Sequence, residues 1–126
     1  MASIKVSAGT IFTMGYQYQK STDNKTFVSA PLTGCTLRFT VKKNESDSNL
    51  SDATALIKKD VVVPNGADAT AGKAQIILTP SDTAITPGRY YYDIKVEEPP
   101  ISGVEQIYRT HEGQFIVDGS PTNRRD

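Results

Sequence analysis

The stretch "CTLRFTVK", residues 35–42, alternates apolar and polar side chains without a break. Successive side chains of a strand point to opposite faces, so Cys35, Leu37, Phe39 and Val41 share one face while Thr36, Arg38, Thr40 and Lys42 share the other. A helix would repeat its apolar positions every three to four residues, and that period is almost absent from the chain. In "TIFTMGYQYQ", residues 10–19, Phe12, Met14, Tyr16 and Tyr18 oppose Ile11, Thr13, Gln17 and Gln19. In "RYYYDIKV", residues 89–96, Tyr90, Tyr92, Ile94 and Val96 form the core face, and Tyr91, Asp93 and Lys95 the solvent face. Further strands are predicted in "ALIKKDVVV" (55–63), "KAQIILTP" (73–80), "EQIYRT" (105–110) and "GQFIVDG" (113–119).

Short strands separated by Gly, Pro, Asn and Asp clusters predict an all-β chain, an immunoglobulin-like antiparallel β-sandwich of 7–9 strands. Residues 1–119 read as one domain and 120–126 as a polar C-terminal tail. A total of 126 residues is ample for one core. The polar stretches 43–54 and 64–72 read as exposed loops, the second around Asn65-Gly66. "PSDTAITPG", residues 80–88, has room for one helical turn capped by Ser81 or Asp82. Pro99 and Pro100 are expected to make the chain reverse before the next strand.

The turn before the triple tyrosine gives those phenols a structural role. Tyr90 stands two residues after Gly88 and Tyr92 two further on, which is the spacing of the tyrosine corner in immunoglobulin-like sandwiches. Tyr90 and Tyr92 are therefore assigned to corner and core, with a hydroxyl bonding back to a carbonyl of the preceding turn. Tyr91 is left outward. Phenol volume at position 92 replaces the cysteine that antibody domains carry there.

Little in the sequence suggests catalysis. The chain has 14 basic and 14 acidic residues, so no nucleic acid or membrane partner is indicated. One histidine, His111, and one cysteine, Cys35, cannot make a His- or thiolate-based metal site. The alternating carboxylates of "NESDSNLSD", residues 44–52, faintly resemble a calcium loop but lack its glycine and closing glutamate. No serine has the surroundings of a nucleophile. The expectation is no enzyme activity and no cofactor. No apolar run long enough for a secretory signal or a membrane span is present, so the chain is expected to be made in the cytoplasm of its host without a signal peptide.

Three stretches carry a resemblance: "LTGCTLRFTVKK" (32–43), "KAQIILTPSDTAITPGRYYYDIKV" (73–96) and "RTHEGQFIVDGSPTNR" (109–124). In order and spacing they resemble the N-terminal immunoglobulin-like module of phage upper-baseplate proteins, found also in small phage and prophage structural proteins. The chain departs from the family pattern at Cys35, where a bulky residue is usual, and in the long 97–107 hairpin. The resemblance implies a non-catalytic virion component of baseplate, tail or head fibre, localised in the virion. It implies other virion proteins as partners and a homo-oligomer in the assembled particle, with contact to a host-surface glycan a further expectation. A carbohydrate-binding or surface-adhesion domain of the same architecture is the alternative. Ile4, Val6 and Ile11 exceed what the core requires, so the N-terminal segment is either an assembly arm that pairs with a neighbour or the first strand of its own sandwich.

Overall fold

The alternating segments become strands because each has an apolar face that only a second layer can cover. The computed structural model describes residues 2–20, 26–43 and 55–119. The element order is β1 (Ala2–Ser7), β2 (Phe12–Gln17), β3 (Gln19–Lys20), β4 (Val28–Ser29), β5 (Thr36–Lys42), β6 (Ile57–Val62), α1 (Ala67–Thr70), β7 (Lys73–Leu78), β8 (Gly88–Ile101) and β9 (Val104–Asp118). The chain is all-β. The carboxylate-rich stretch 44–52 and the tail 120–126 lie outside the described residues.

Five strands form one sheet in the order β1-β9-β8-β5-β6, with β1 parallel to β9 and the other neighbours antiparallel. Strands β2 and β7 pair separately, as do β3 and β4. The inner face of the large sheet supplies Leu37, Phe39, Val41, Tyr92, Ile94, Val96, Phe115 and Val117, and the β2–β7 pair adds Tyr16, Ile76 and Leu78 to the same buried cluster. At its centre Phe39 stacks on Tyr92 at 5.7 Å and meets Phe115 edge-on at 5.9 Å. Such pairs contribute about 0.5–1.5 kcal/mol each beyond the area they bury. Cys35 is a free, buried thiol, and burial pushes its pKa up.

The N-terminal segment is a strand of its own sheet. Ile4 and Val6, read above as candidates for an assembly arm, are 7% and 5% exposed and belong to the core, whereas Ile11 is 65% exposed. The physical reason is register: Ile4 pairs with Phe115 and Val6 with Val117, so both inherit the inward face of β9. Tyr91 also departs from expectation. It is only 9% exposed, because its hydroxyl donates to Glu112 Oε2 at 2.6 Å and holds the ring down on the outer face. Its register neighbour Lys42, expected in solvent, is buried as well.

The last hairpin is longer and more continuous than the sequence suggests. The expected strands 105–110 and 113–119 merge into a single strand, β9, which ends at Asp118, because Thr110 is an extra residue between the pairs Ile94–His111 and Lys95–Arg109. A bulge of this kind shifts the parity of the alternation, so that one strand reads as two. On the partner strand, Pro99 and Pro100 do not end β8. Strand β5 stops pairing at Glu97, so beyond that point the missing proline N–H groups leave no second ladder broken. The reversal falls instead on Ser102 and Gly103, with φ of 52° and 79°, as a two-residue type I′ turn requires.

The remaining connections are settled by backbone hydrogen bonds. The loop 64–72 contains the short helix α1 and closes on Gly72, whose carbonyl accepts from Tyr18 N–H at 2.7 Å. A Cβ at Gly72 would stand 2.4 Å from the Ala30 carbonyl oxygen. In 80–88 no helix forms. Thr79 and Asp82 bond reciprocally, N–H to carboxylate at 2.8 Å and N–H to hydroxyl at 3.2 Å, a capping-box pattern that the turn does not extend into a helix. Burial raises the Asp82 carboxyl, and the Thr79 N–H and the Lys59 ammonium together outweigh it, leaving its pKa below the usual value.

Candidate functional site

Past Glu97, strand β8 pairs only with β9 among the described residues, and β9 has no other strand beside it before Gly113. The 14-residue β8 and 15-residue β9, each about twice the length of β5, thus continue past Glu97 as a short two-stranded ribbon that closes at Ile101 and Val104. A free ribbon is marginal in water, so its base must be anchored. The alternation that buries Val96 places Glu98 on the same inner face, and Tyr108, paired with Val96, points the same way. Both turn toward the β3–β4 hairpin.

Lys20 is the hub of that contact. Its ammonium lies 2.6 Å from Glu98 Oε2, 5.5 Å from the ring centre of Tyr18 and 5.3 Å from that of Tyr108. The Tyr18 hydroxyl donates to the same Glu98 oxygen. Burial pushes the Glu98 carboxyl up, but Lys20 and the Tyr18 hydroxyl outweigh it and hold its pKa below the usual carboxylate value. The Tyr18 phenol is raised by its burial and by its bond to that carboxylate. Behind this group Tyr16 bonds Thr110 Oγ1 at 2.7 Å and meets the His111 ring edge-on at 5.2 Å. Burial lowers the His111 pKa. Pro99 adds a steric anchor, since a Cβ at Gly34 would stand 3.3 Å from its Cγ.

The ribbon's end is apolar and uncovered. Ile101 and Val104, paired across the turn, are 62% and 61% exposed; at the ribbon's base Ile107, opposite Glu97, and Tyr108, opposite Val96, are more than two-fifths exposed. On the opposite, sheet side of the molecule the charges are arranged in pairs: Arg38 bridges Glu97 at 2.6 Å and Asp60 at 3.0 Å, and Arg109 meets Glu112 at 3.3 Å.

The residues singled out from the sequence fall elsewhere. The Tyr90 hydroxyl donates to the Thr86 carbonyl four residues upstream, in the turn before β8, and Tyr92 is in the core. Ile4 and Val6 share that core without forming a surface. Sequence reasoning missed Tyr18, Lys20, Glu98 and Tyr108 as a group. The usable signal was the alternation carried one step past Val96, which puts the Glu98 carboxylate on an inward face where it must find a cation. Among the described residues no three His, Cys, Asp or Glu side chains are grouped as a metal ion would need. No protein-family model and no curated protein sequence matches the chain.

Proposed function

We propose that this chain is an immunoglobulin-like, non-catalytic structural module of a phage or prophage virion, which joins virion parts through its β8–β9 ribbon. The observation that carries the reading is that ribbon, anchored at its base by Lys20 and Glu98, with Ile107 exposed beside that base, and ending in exposed Ile101 and Val104. Exposed apolar side chains on an element that contributes little to the core are characteristic of a contact surface.

Three further features support it. The order β9-β8-β5-β6 corresponds to the enlarged sheet of a variable-type immunoglobulin domain, with β2–β7 in the place of the opposing sheet. The Tyr90 hydroxyl closes the turn before β8 as a tyrosine corner does. The three stretches that resemble the upper-baseplate module include β5, β7, the start of β8 and the end of β9, and the departure from that pattern at 97–107 is the ribbon itself.

The reading is tested by quantitative mass spectrometry of purified particles from the phage or induced prophage that encodes the chain. A fixed stoichiometry relative to the major tail or capsid protein is expected. Particles that lack the chain while the cell lysate contains it would contradict the proposal.

A further inference from the structure

Between the β3–β4 hairpin and the base of the ribbon lies an open pocket of about 520 Å³, lined by Tyr18, Gln19, Lys20, Phe27, Tyr108 and Arg109, among others. That volume is within the range of small-ligand sites, roughly 300–1,000 Å³. Two of its aromatic walls are not packing residues: Phe27 is 60% and Tyr108 43% exposed. Rings of this kind offer a flat apolar face at low conformational cost.

The charges in the pocket narrow the ligand class. Lys20 is matched by Glu98 at 2.6 Å, and the Arg109 charge is paired with Glu112 at 3.3 Å on the outer face of the sheet. A phosphate or other anion would have to compete with a carboxylate for each cation, and a cationic ligand would have to displace Lys20 from between its two rings. A neutral, polyhydroxylated ring meets neither obstacle. Its C–H face can lie on Phe27 or Tyr108 while its hydroxyls exchange hydrogen bonds with the Lys20–Glu98 pair, which the ion pair already holds in place, and with the Gln19 amide. We infer that this pocket is a binding site for a neutral saccharide, stacked on Phe27 and Tyr108 and oriented by Lys20 and Gln19. The site is separate from the exposed tip at Ile101 and Val104, so it gives the module a second contact, to glycan, at the root of the ribbon.

The test is a titration of the full chain, labelled with ¹³C in its aromatic rings, with cellotetraose, maltotetraose, chitotetraose and a β-galactotetraose. Saturable shifts of the Phe27 and Tyr108 ring signals with at least one of them are expected, with a dissociation constant of order millimolar. Phe27→Ala and Tyr108→Ala should each weaken that binding roughly tenfold, the loss of one stacking contact. Phe27→Ala guards against indirect effects, since Phe27 makes neither the Lys20 nor the Glu98 contact. Tyr91→Phe, on the outer face, should leave the affinity unchanged. No saturable shift with any of the four sugars, or binding that survives both alanine variants, would overturn the inference. So would inorganic phosphate saturating the same signals at lower concentration than every sugar. None of these outcomes bears on particle stoichiometry, so the assembly reading stands or falls separately.

Discussion

The two halves of the β8–β9 ladder share one set of backbone hydrogen bonds and differ in almost everything else. In the half from Tyr90 to Glu97, β8 is flanked by β5 and β9, and β9 in turn by β1 from Gly113 on. Its inner face carries Tyr92, Ile94, Val96, Phe115 and Val117, all buried. In the half beyond Glu97 the two strands pair only with each other among the described residues. There the inner face is polar, with Glu98 and Gln106, while the large apolar side chains of Ile101 and Val104 stand exposed at the tip. One half stabilises the fold and the other presents a surface. The change occurs where β5 ends, because a strand without a second neighbour and a covering layer has no core to contribute to.

The difference is sharpened first at Tyr92. Tyr92→Ala removes a buried ring stacked on Phe39 and should cost about 3–5 kcal/mol, read as a lowered urea midpoint. A loss similar to that of a tip substitution would erase the distinction between the halves. Next comes Tyr91, on the outer face of the same half. Tyr91→Ala should cost about 2 kcal/mol and Tyr91→Phe about 1 kcal/mol, since the second loses only the hydroxyl that bonds Glu112. The Tyr91 phenol, pushed up to about 12 by burial and then by Glu112, should titrate above a solvent-exposed tyrosine, which ultraviolet absorbance at high pH can follow.

A smaller effect is expected at the ribbon's base, and it depends on pH. Glu98 has a folded pKa below its unfolded value of about 4.3, so its contribution is complete above that value and is lost as pH falls through the folded pKa. Asp82 acts with the same sign. His111 does too, over a window that begins near pH 6.5, since its lowered pKa makes protonation unfavourable in the fold. Glu98→Gln should therefore flatten, without abolishing, the fall in urea midpoint between pH 5 and pH 3. An unchanged acid limb would mean that the Lys20–Glu98 pair does not hold the ribbon.

The half that makes the core could be read from the sequence and the half that projects could not. Unbroken alternation in 35–42 and 90–96 placed Leu37, Phe39, Tyr92 and Ile94 on the inward face because one rule, a period of two against a single apolar layer, decides every position there. At Thr110 the bulge breaks that period, and β9 read as two strands. Pro99 and Pro100 suggested a reversal because a proline inside a sheet usually removes a ladder bond, which fails where β5 has already stopped pairing. For Ile4 and Val6 the sequence left an assembly arm and a first strand of the sandwich both open for a related reason: a parallel strand beside β9 is set by pairing distant in sequence, and local composition does not encode it. Tyr91 and Lys42 were placed outward by alternation, yet the centre of a five-stranded sheet lets long side chains cover one another even on its polar face.

The smallest stability effect belongs to the exposed apolar side chains of the ribbon, where contact can be separated from folding. Ile101→Ser, Val104→Ser and Ile107→Ser combined should shift folding stability by no more than about 0.5 kcal/mol per site, as exposed positions do. The most direct measurement is the number of copies of this triple variant in each purified particle, counted by mass spectrometry beside the wild-type chain. Incorporation should collapse while the urea midpoint stays near that of the wild type; incorporation at the wild-type level would contradict a contact role for the ribbon.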